Sequence, residues 1–168
     1  MALVALKRSG VEMAGDLYFT GVINEEMKSE GTEDVVLNGP KADAAIVGEP
    51  TGLDLSAAHR GLEWIEVEVT GRAAHGGRPH LGINAISKMA AFIRKLETEL
   101  PGRLAGRAHP LMGPPIFNFG VIRGGTQPSS VADRCVLQLD RRLTPVETVE
   151  SVFGELEELI AQCRREYP

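Results

Sequence analysis

The stretch GLEWIEVEVTGRAAHGGRPHLGINAI, residues 61–86, decides the fold of this 168-residue chain. In its first part Ile65, Val67 and Val69 alternate with Glu66 and Glu68, so one face of an extended segment is apolar and the other charged. That is the pattern of a half-exposed strand. A loop punctuated by glycine and proline follows, and Asn84 then stands where a side-chain oxygen can cap a helix. Ile86, Met89, Ala90, Ile93, Leu96 and Leu100 fall on one stripe of that helix, which is expected to stop at Pro101-Gly102. The segment 101–114 reads as an exposed loop.

Downstream, IFNFGVI (116–122) and RCVLQLDRR (134–142) read as two further strands joined by the turn-rich GGTQPSS. In the second, Leu137 and Leu139 face one side while Gln138, Asp140 and Arg142 share the other. Thr144-Pro145-Val146-Glu147 has the residues of a capping box and predicts a helix striped by Val149, Val152, Phe153, Leu156, Leu159, Ile160 and Cys163. The order from residue 59 onward is therefore β-α-β-β-α. This is one strand short of a ferredoxin-like βαββαβ unit.

Upstream the texture differs. MALVALKRSG reads as the last turns of an amphipathic helix closed by Gly10, with Lys7 and Arg8 near its C-terminal dipole. DLYFTGVI (16–23) and ADAAIV (42–47) are nearly continuous apolar runs, as strands buried on both faces of a parallel sheet would be. The expected organisation is thus α/β: residues 1–58 as a partial piece of an α/β catalytic sheet, then residues 59–168 as a ferredoxin-like α+β unit lacking its last strand. Both ends of the chain read as cut.

Composition narrows the function. A net charge of -5 and a pI near 5.4, with one tryptophan and two tyrosines, exclude the basic face that a nucleic-acid surface needs. No apolar run approaches the ~20 residues of a membrane span, and MALVALKRSG has no secretory leader, so a cytoplasmic protein is expected. Cys135 and Cys163 lack metal spacing and are expected as buried thiols. Small molecules or a second copy of the chain remain as partners.

Glu25 and Glu26 close the first upstream run and Glu49 closes the second. Ligands of open α/β sheets bind beyond the carboxyl ends of the strands, and carboxylates gathered there repel unless a cation neutralises them. The alternative is a solvated acidic loop, and periodicity leaves that choice open.

Taken in order, GDLYFTGVINEEMKSEG, ADAAIVGEPTG, HRG, GRAAHGGRPHLGINAI, FNFGVIRGGTQPSSVAD and LDRRLTP resemble the di-zinc family of acetylornithine deacetylase, succinyl-diaminopimelate desuccinylase, aminoacylase and glutamate carboxypeptidase. The resemblance implies Glu25 as the general base acting on a metal-bridging water, with Glu26 and Glu49 each ligating one metal. It implies that residues 59–168 are a lid that makes a homodimer. His75 would reach across the dimer to a substrate carbonyl and steady the oxyanion. Arg142 would hold a substrate carboxylate, although an ion pair with Asp140 explains it equally. Ser129 and Ser130 fall where relatives often carry asparagine for substrate contact. His59, His80 and His109 are expected as structural or surface residues.

The implied reaction is hydrolysis of the amide bond of an N-acyl amino acid or small peptide, using two divalent ions, zinc or cobalt. The HxD motif, a bridging aspartate and a late histidine of the family pattern are missing from these 168 residues, so metal binding by this chain alone is expected to be incomplete. Two further readings stand beside the enzyme: a non-catalytic homodimerisation module, and a ferredoxin-like domain that binds a small ligand.

Overall fold

The structure, a computed structural model, describes residues 1–167. Contacts divide the chain into two units, Met1–Gly52 and Leu53–Pro168. Among the described residues, all of the buried apolar side chains belong to the second.

The second unit is built on three antiparallel strands in the order β1-β3-β2: β1 (Gly61–Thr70), β2 (Ile116–Gly124) and β3 (Arg134–Leu143). The alternation in β1 determines its register. Gly61 faces Leu143 and Thr70 faces Arg134, which brings Ile65, Val67 and Val69 to the same side as Cys135, Leu137 and Leu139. β2 enters opposite Arg142 and leaves opposite Cys135, with one irregular step between Phe119 and Val121. Gly120 occupies that step, where an extra residue lets the strand bend and its facing pattern slip.

Helices α3 (Ala85–Ala105) and α4 (Val149–Glu166) cover the apolar face. Asn84 caps α3 as expected, its side-chain oxygen accepting from the Ser87 N–H at 3.1 Å. The buried stripe of α3 is Ala85, Met89, Phe92, Leu96, Leu100 and Leu104, while Ile86 is exposed. The expected stripe is therefore displaced by about one residue at its start.

Two boundaries differ from the sequence reading. α3 runs through Pro101 to Ala105. A proline inside a helix costs about 3 kcal/mol. Continuing the helix buries Leu100 and Leu104, at 2% and 3% exposure, each contributing roughly 1.5–3 kcal/mol. Arg103 adds pairs to Glu99 and Glu158 across the same turn. The gain outweighs the proline.

α4 begins at Thr148, four residues later than the Thr144 box suggests. Thr148 and Ser151 form a reciprocal capping box, with bonds of 3.0 and 3.2 Å. Thr144 and Glu147 instead close a separate turn, and Glu147 points its carboxylate at Arg141 and Arg107. Ion pairing has drawn that glutamate away from the helix.

In the first unit α1 (Ala2–Ser9) ends at Gly10 in the left-handed conformation, as expected. The two expected strands are absent: residues 16–23 and 42–47 pair with nothing and stay exposed, with Phe19 at 78% and Ile46 at 99%. A parallel-sheet strand needs neighbours on both sides and cover on both faces, and neither run finds any. Residues 16–23 and 42–47 accordingly run without strand pairing in this chain.

Between the two runs lies α2 (Glu30–Asn38), whose first turn carries Glu30 and Glu33. Acids there complement the helix dipole. Gly31 permits this helix to start against the chain, because a Cβ on it would lie 2.5 Å from the Ile23 nitrogen.

Candidate functional site

Glu25 and Glu26 lie in a tight turn between Asn24 and Ser29. Both flanking residues take the left-handed conformation, with φ of 58° and 56°. The Asn24 carbonyl accepts from the N–H groups of Met27, Lys28 and Ser29, and the Asn24 amide donates to Glu30 at 2.6 Å. The pair is thus carried on a knot of local hydrogen bonds at the head of α2, and both side chains are exposed. Glu49 sits in an exposed coil just before a short turn in which the Thr51 N–H reaches its carbonyl at 2.9 Å. Among the described residues no three His, Cys, Asp or Glu side chains are gathered into a group able to hold a metal ion. The donors this chain supplies do not by themselves fit a divalent metal.

The other predicted residues belong to the second unit. His75 stands in a loop that prolongs β1 by isolated pairings. The Gly71 N–H donates to Asp133 at 2.7 Å, Arg72 and Ile83 exchange two bonds of 2.9 Å, and His75 faces Ser130 across an antiparallel bridge. The loop can approach this closely because residue 76 is glycine, where a Cβ would meet the Ser129 carbonyl oxygen at 2.8 Å. The structure therefore brings His75, Ser129 and Ser130 together. It also brings in Gln127, which was not foreseen, and whose amide donates to the Ser130 hydroxyl at 3.1 Å. The signal for it was the Gln-Pro step in GGTQPSS, since proline at the second position of a turn holds the first and fourth residues close.

Arg142 is not part of that group. Ser130 precedes β3 and Arg142 stands near its other end, so the strand rise of ~3.3 Å per residue separates His75 from Arg142 by about 26 Å or more. One small molecule cannot touch both within a single copy. Arg142 makes a bidentate pair with Asp140, at 2.8 and 2.9 Å. The ion pair weighed from the sequence is thus present, with the guanidinium still partly exposed.

His59 and His80 are exposed. His109 is half-buried in a closed loop, pairing twice with Gly113, while Arg60 donates to the carbonyls of Met112 and Pro114. That loop is far better tied than the scattered Pro, Gly and Arg residues of 101–114 suggest. Cys135 is fully buried and burial pushes its thiol pKa up. Cys163, expected as buried, is partly exposed at the margin of the core.

A deeper charged cluster joins the ends of α3, β3 and α4. Arg141, on the apolar face of β3 and 2% exposed, pairs with Glu147, and Arg107 bridges Glu147 at 3.0 Å and Glu155 at 2.9 Å. Glu155 first, then Glu147, hold the Arg107 guanidinium above the usual arginine range. Every charge is partnered, as burial requires. The cluster is structural.

Comparison with known proteins adds the following. Residues 57–168 match the model of the peptidase dimerisation domain. Over 161 residues the chain is 31% identical to the acetylornithine deacetylase of Proteus mirabilis, covering 94% of this chain and 41% of that protein. Over 118 residues it is 39% identical to a protein of Aspergillus clavatus named a probable carboxypeptidase, covering 67% of this chain and 28% of the other. The aminobenzoyl-glutamate utilization protein of Klebsiella pneumoniae superposes with a TM-score of 0.50 at 24% identity, over 65% of this chain and 26% of that structure. The chain thus spans well under half the length of these relatives.

Proposed function

Because the chain belongs to the M20 peptidase dimerisation family, we propose that it carries the lid and an adjoining catalytic segment of a metal-dependent hydrolase of amide bonds. N-acyl amino acids or small peptides are the substrates, a choice supported by the names of the relatives. Glu25 carries the proton from attacking water to leaving amine, while Glu26 and Glu49 supply donors to two divalent ions, zinc or cobalt, whose remaining ligands lie outside these residues. His75 donates to the substrate carbonyl oxygen, and Ser129 and Ser130 lie beside it. Arg142 holds a carboxylate.

The observation that carries this reading is the separation of His75 from Arg142 along β3. Two groups that far apart can still serve the same small substrate if they come from different copies. A homodimer formed through the lid supplies that arrangement. In a hydrolysis assay with N-acetyl amino acids, this chain is expected to be inactive and to retain less than one metal per chain. A longer chain carrying the flanking sequence is expected to bind two metals and turn over. Activity in the 168-residue chain would refute the incomplete-site reading, and inactivity of the longer chain loaded with zinc or cobalt would refute the enzyme.

A second reading, a non-catalytic dimerisation module, is favoured by the match of residues 57–168 to the dimerisation-domain model and by the concentration of the core in the same unit. The longer chain decides between them.

A further inference from the structure

The two helices lie on one face of the sheet, and the side chains that alternate to the other face form rows across all three strands. Leu62, Arg142 and Ile116 make one row, and Trp64, Asp140 and Asn118 the next. Arg142 thus stands between two half-exposed aliphatic side chains, Leu62 at 45% and Ile116 at 47%. Trp64 is its diagonal neighbour on β1, a spacing of about 7–8 Å. The indole keeps 59% of its surface open. Beside it a hollow of about 390 Å³ opens over β3, walled by Trp64 on β1 and Val121 on β2, with Gln138 and Asp140 beneath.

The polar groups around this hollow are paired with one another. The Gln138 amide donates to Glu66 at 3.0 Å, and Arg142 donates to Asp140 from Nε at 2.8 Å and from Nη2 at 2.9 Å. What the walls offer a ligand is therefore apolar: the Trp64 ring and the Val121 side chain. The Asp140 pair occupies one edge of the guanidinium fork and fixes its plane. The Nη1–Nη2 edge has no acceptor among the described residues, and its two parallel N–H groups match a second carboxylate. Glycine at position 120 keeps the hollow open, and the backbone does not demand it. Its φ lies outside the left-handed region, and a Cβ would touch only the Gln138 carbonyl oxygen, at an ordinary 3.7 Å.

We infer that the hollow receives the side chain of an amino acid whose carboxylate is held by the free edge of Arg142, and that it selects bulky apolar side chains over small or charged ones. Trp64 and Val121 set that specificity. The inference rests on the proposed role of Arg142 and adds the class of amino acid. Charge opposes the alternatives: an acidic side chain would be repelled by Glu66 and Asp140, and a basic one would have to displace Gln138 or Arg142 from those same carboxylates.

The test uses the 168-residue chain, whose single tryptophan is Trp64, and follows its emission during titration with N-acetylleucine, N-acetylglycine, N-acetyllysine and the amide of N-acetylleucine. N-acetylleucine is expected to give a saturable change and to bind about tenfold more tightly than N-acetylglycine, the scale of covering part of an apolar side chain. The amide, which lacks the carboxylate, should bind about tenfold more weakly than the acid. Gly120→Leu fills the hollow and should reduce N-acetylleucine to the affinity of N-acetylglycine, with the urea midpoint unchanged. No saturable change, glycine or lysine derivatives bound as tightly as the leucine one, or a leucine preference that survives Gly120→Leu would each overturn the inference, and the comparison of ligands on the unaltered chain decides it even where the variant fails to fold. Its failure is separable from that of the Arg142 role. Equal affinity for the leucine and glycine acids with a weaker amide ends only the hollow, whereas an amide as tight as the acid ends the carboxylate grip.

Discussion

Replacing Glu147 by alanine removes one carboxylate that serves three donors: Arg141, Arg107 and the Thr144 N–H. Arg107 is 32% exposed at its side chain and keeps Glu155, so it recovers most of its loss from water and its remaining partner. Arg141 is 2% exposed and is left with only the Arg142 carbonyl at 2.6 Å. Removing one partner of a buried pair costs about 3–5 kcal/mol, because the surviving charge stays desolvated. With a urea dependence of about 2 kcal/mol per molar, the unfolding midpoint should fall by roughly 1.5–2.5 M. The single tryptophan, Trp64 on β1, reports unfolding of the second unit selectively by fluorescence. The pair Arg141→Met with Glu147→Leu should recover most of the loss, since apolar replacement of both partners is close to neutral. A loss below about 1 kcal/mol in Glu147→Ala, or a double variant no better than the single, would refute the claim that the cluster is a closed, buried network.

Three further outcomes are expected. Thiol labelling of the native chain should modify Cys163 first and Cys135 only after urea is added, as peptide mass analysis would show; equal rates would contradict the packing of Cys135 beneath the helices. Acid should weaken the fold in a defined window. Lys95 first holds Glu99 low, and Arg103 first holds Glu158 low, so their stabilisation is present above the ordinary glutamate value of about 4.3 and is lost as pH falls through the lower folded values. Urea midpoints that rise on acidification below pH 4 would refute this. Lastly, limited proteolysis should cut within residues 1–52 before it cuts within 59–168, because the apolar runs of the first unit lie exposed and unpaired; the opposite order would count against the division.

Much of the second unit was legible because local pattern and tertiary packing agree there. Ile65, Val67 and Val69 alternate, and Asn84 caps the helix it precedes. Where they disagree, packing and pairing decided. Pro101 signals an end that Leu104 overrides, and the Thr144 box is only half formed, because Glu147 accepts from the Thr144 N–H and from Arg141 while the Thr144 hydroxyl turns to the Arg107 carbonyl. The runs 16–23 and 42–47 carry strand composition, yet a strand also needs partners that composition cannot supply. Of the candidate site, His75 and Ser130 were visible as residue types in a turn-rich setting. Their pairing arises from backbone bonds between segments more than fifty residues apart, which no single stretch encodes.

The strand order has a consequence for how the chain is made. β1 and β2 pair only with β3, the last strand in sequence, and Gly61 waits for Leu143. During synthesis no part of the sheet can zip until β3, from Arg134 onward, leaves the ribosome, because an isolated extended segment has no ladder to join. Loop closure between β1 and β3 therefore precedes any reward from their pairing, and the apolar faces of α3 and β1 remain open throughout that interval. Assembly of this unit is a late, concerted event, and a chain halted before Arg134 should show helix without sheet.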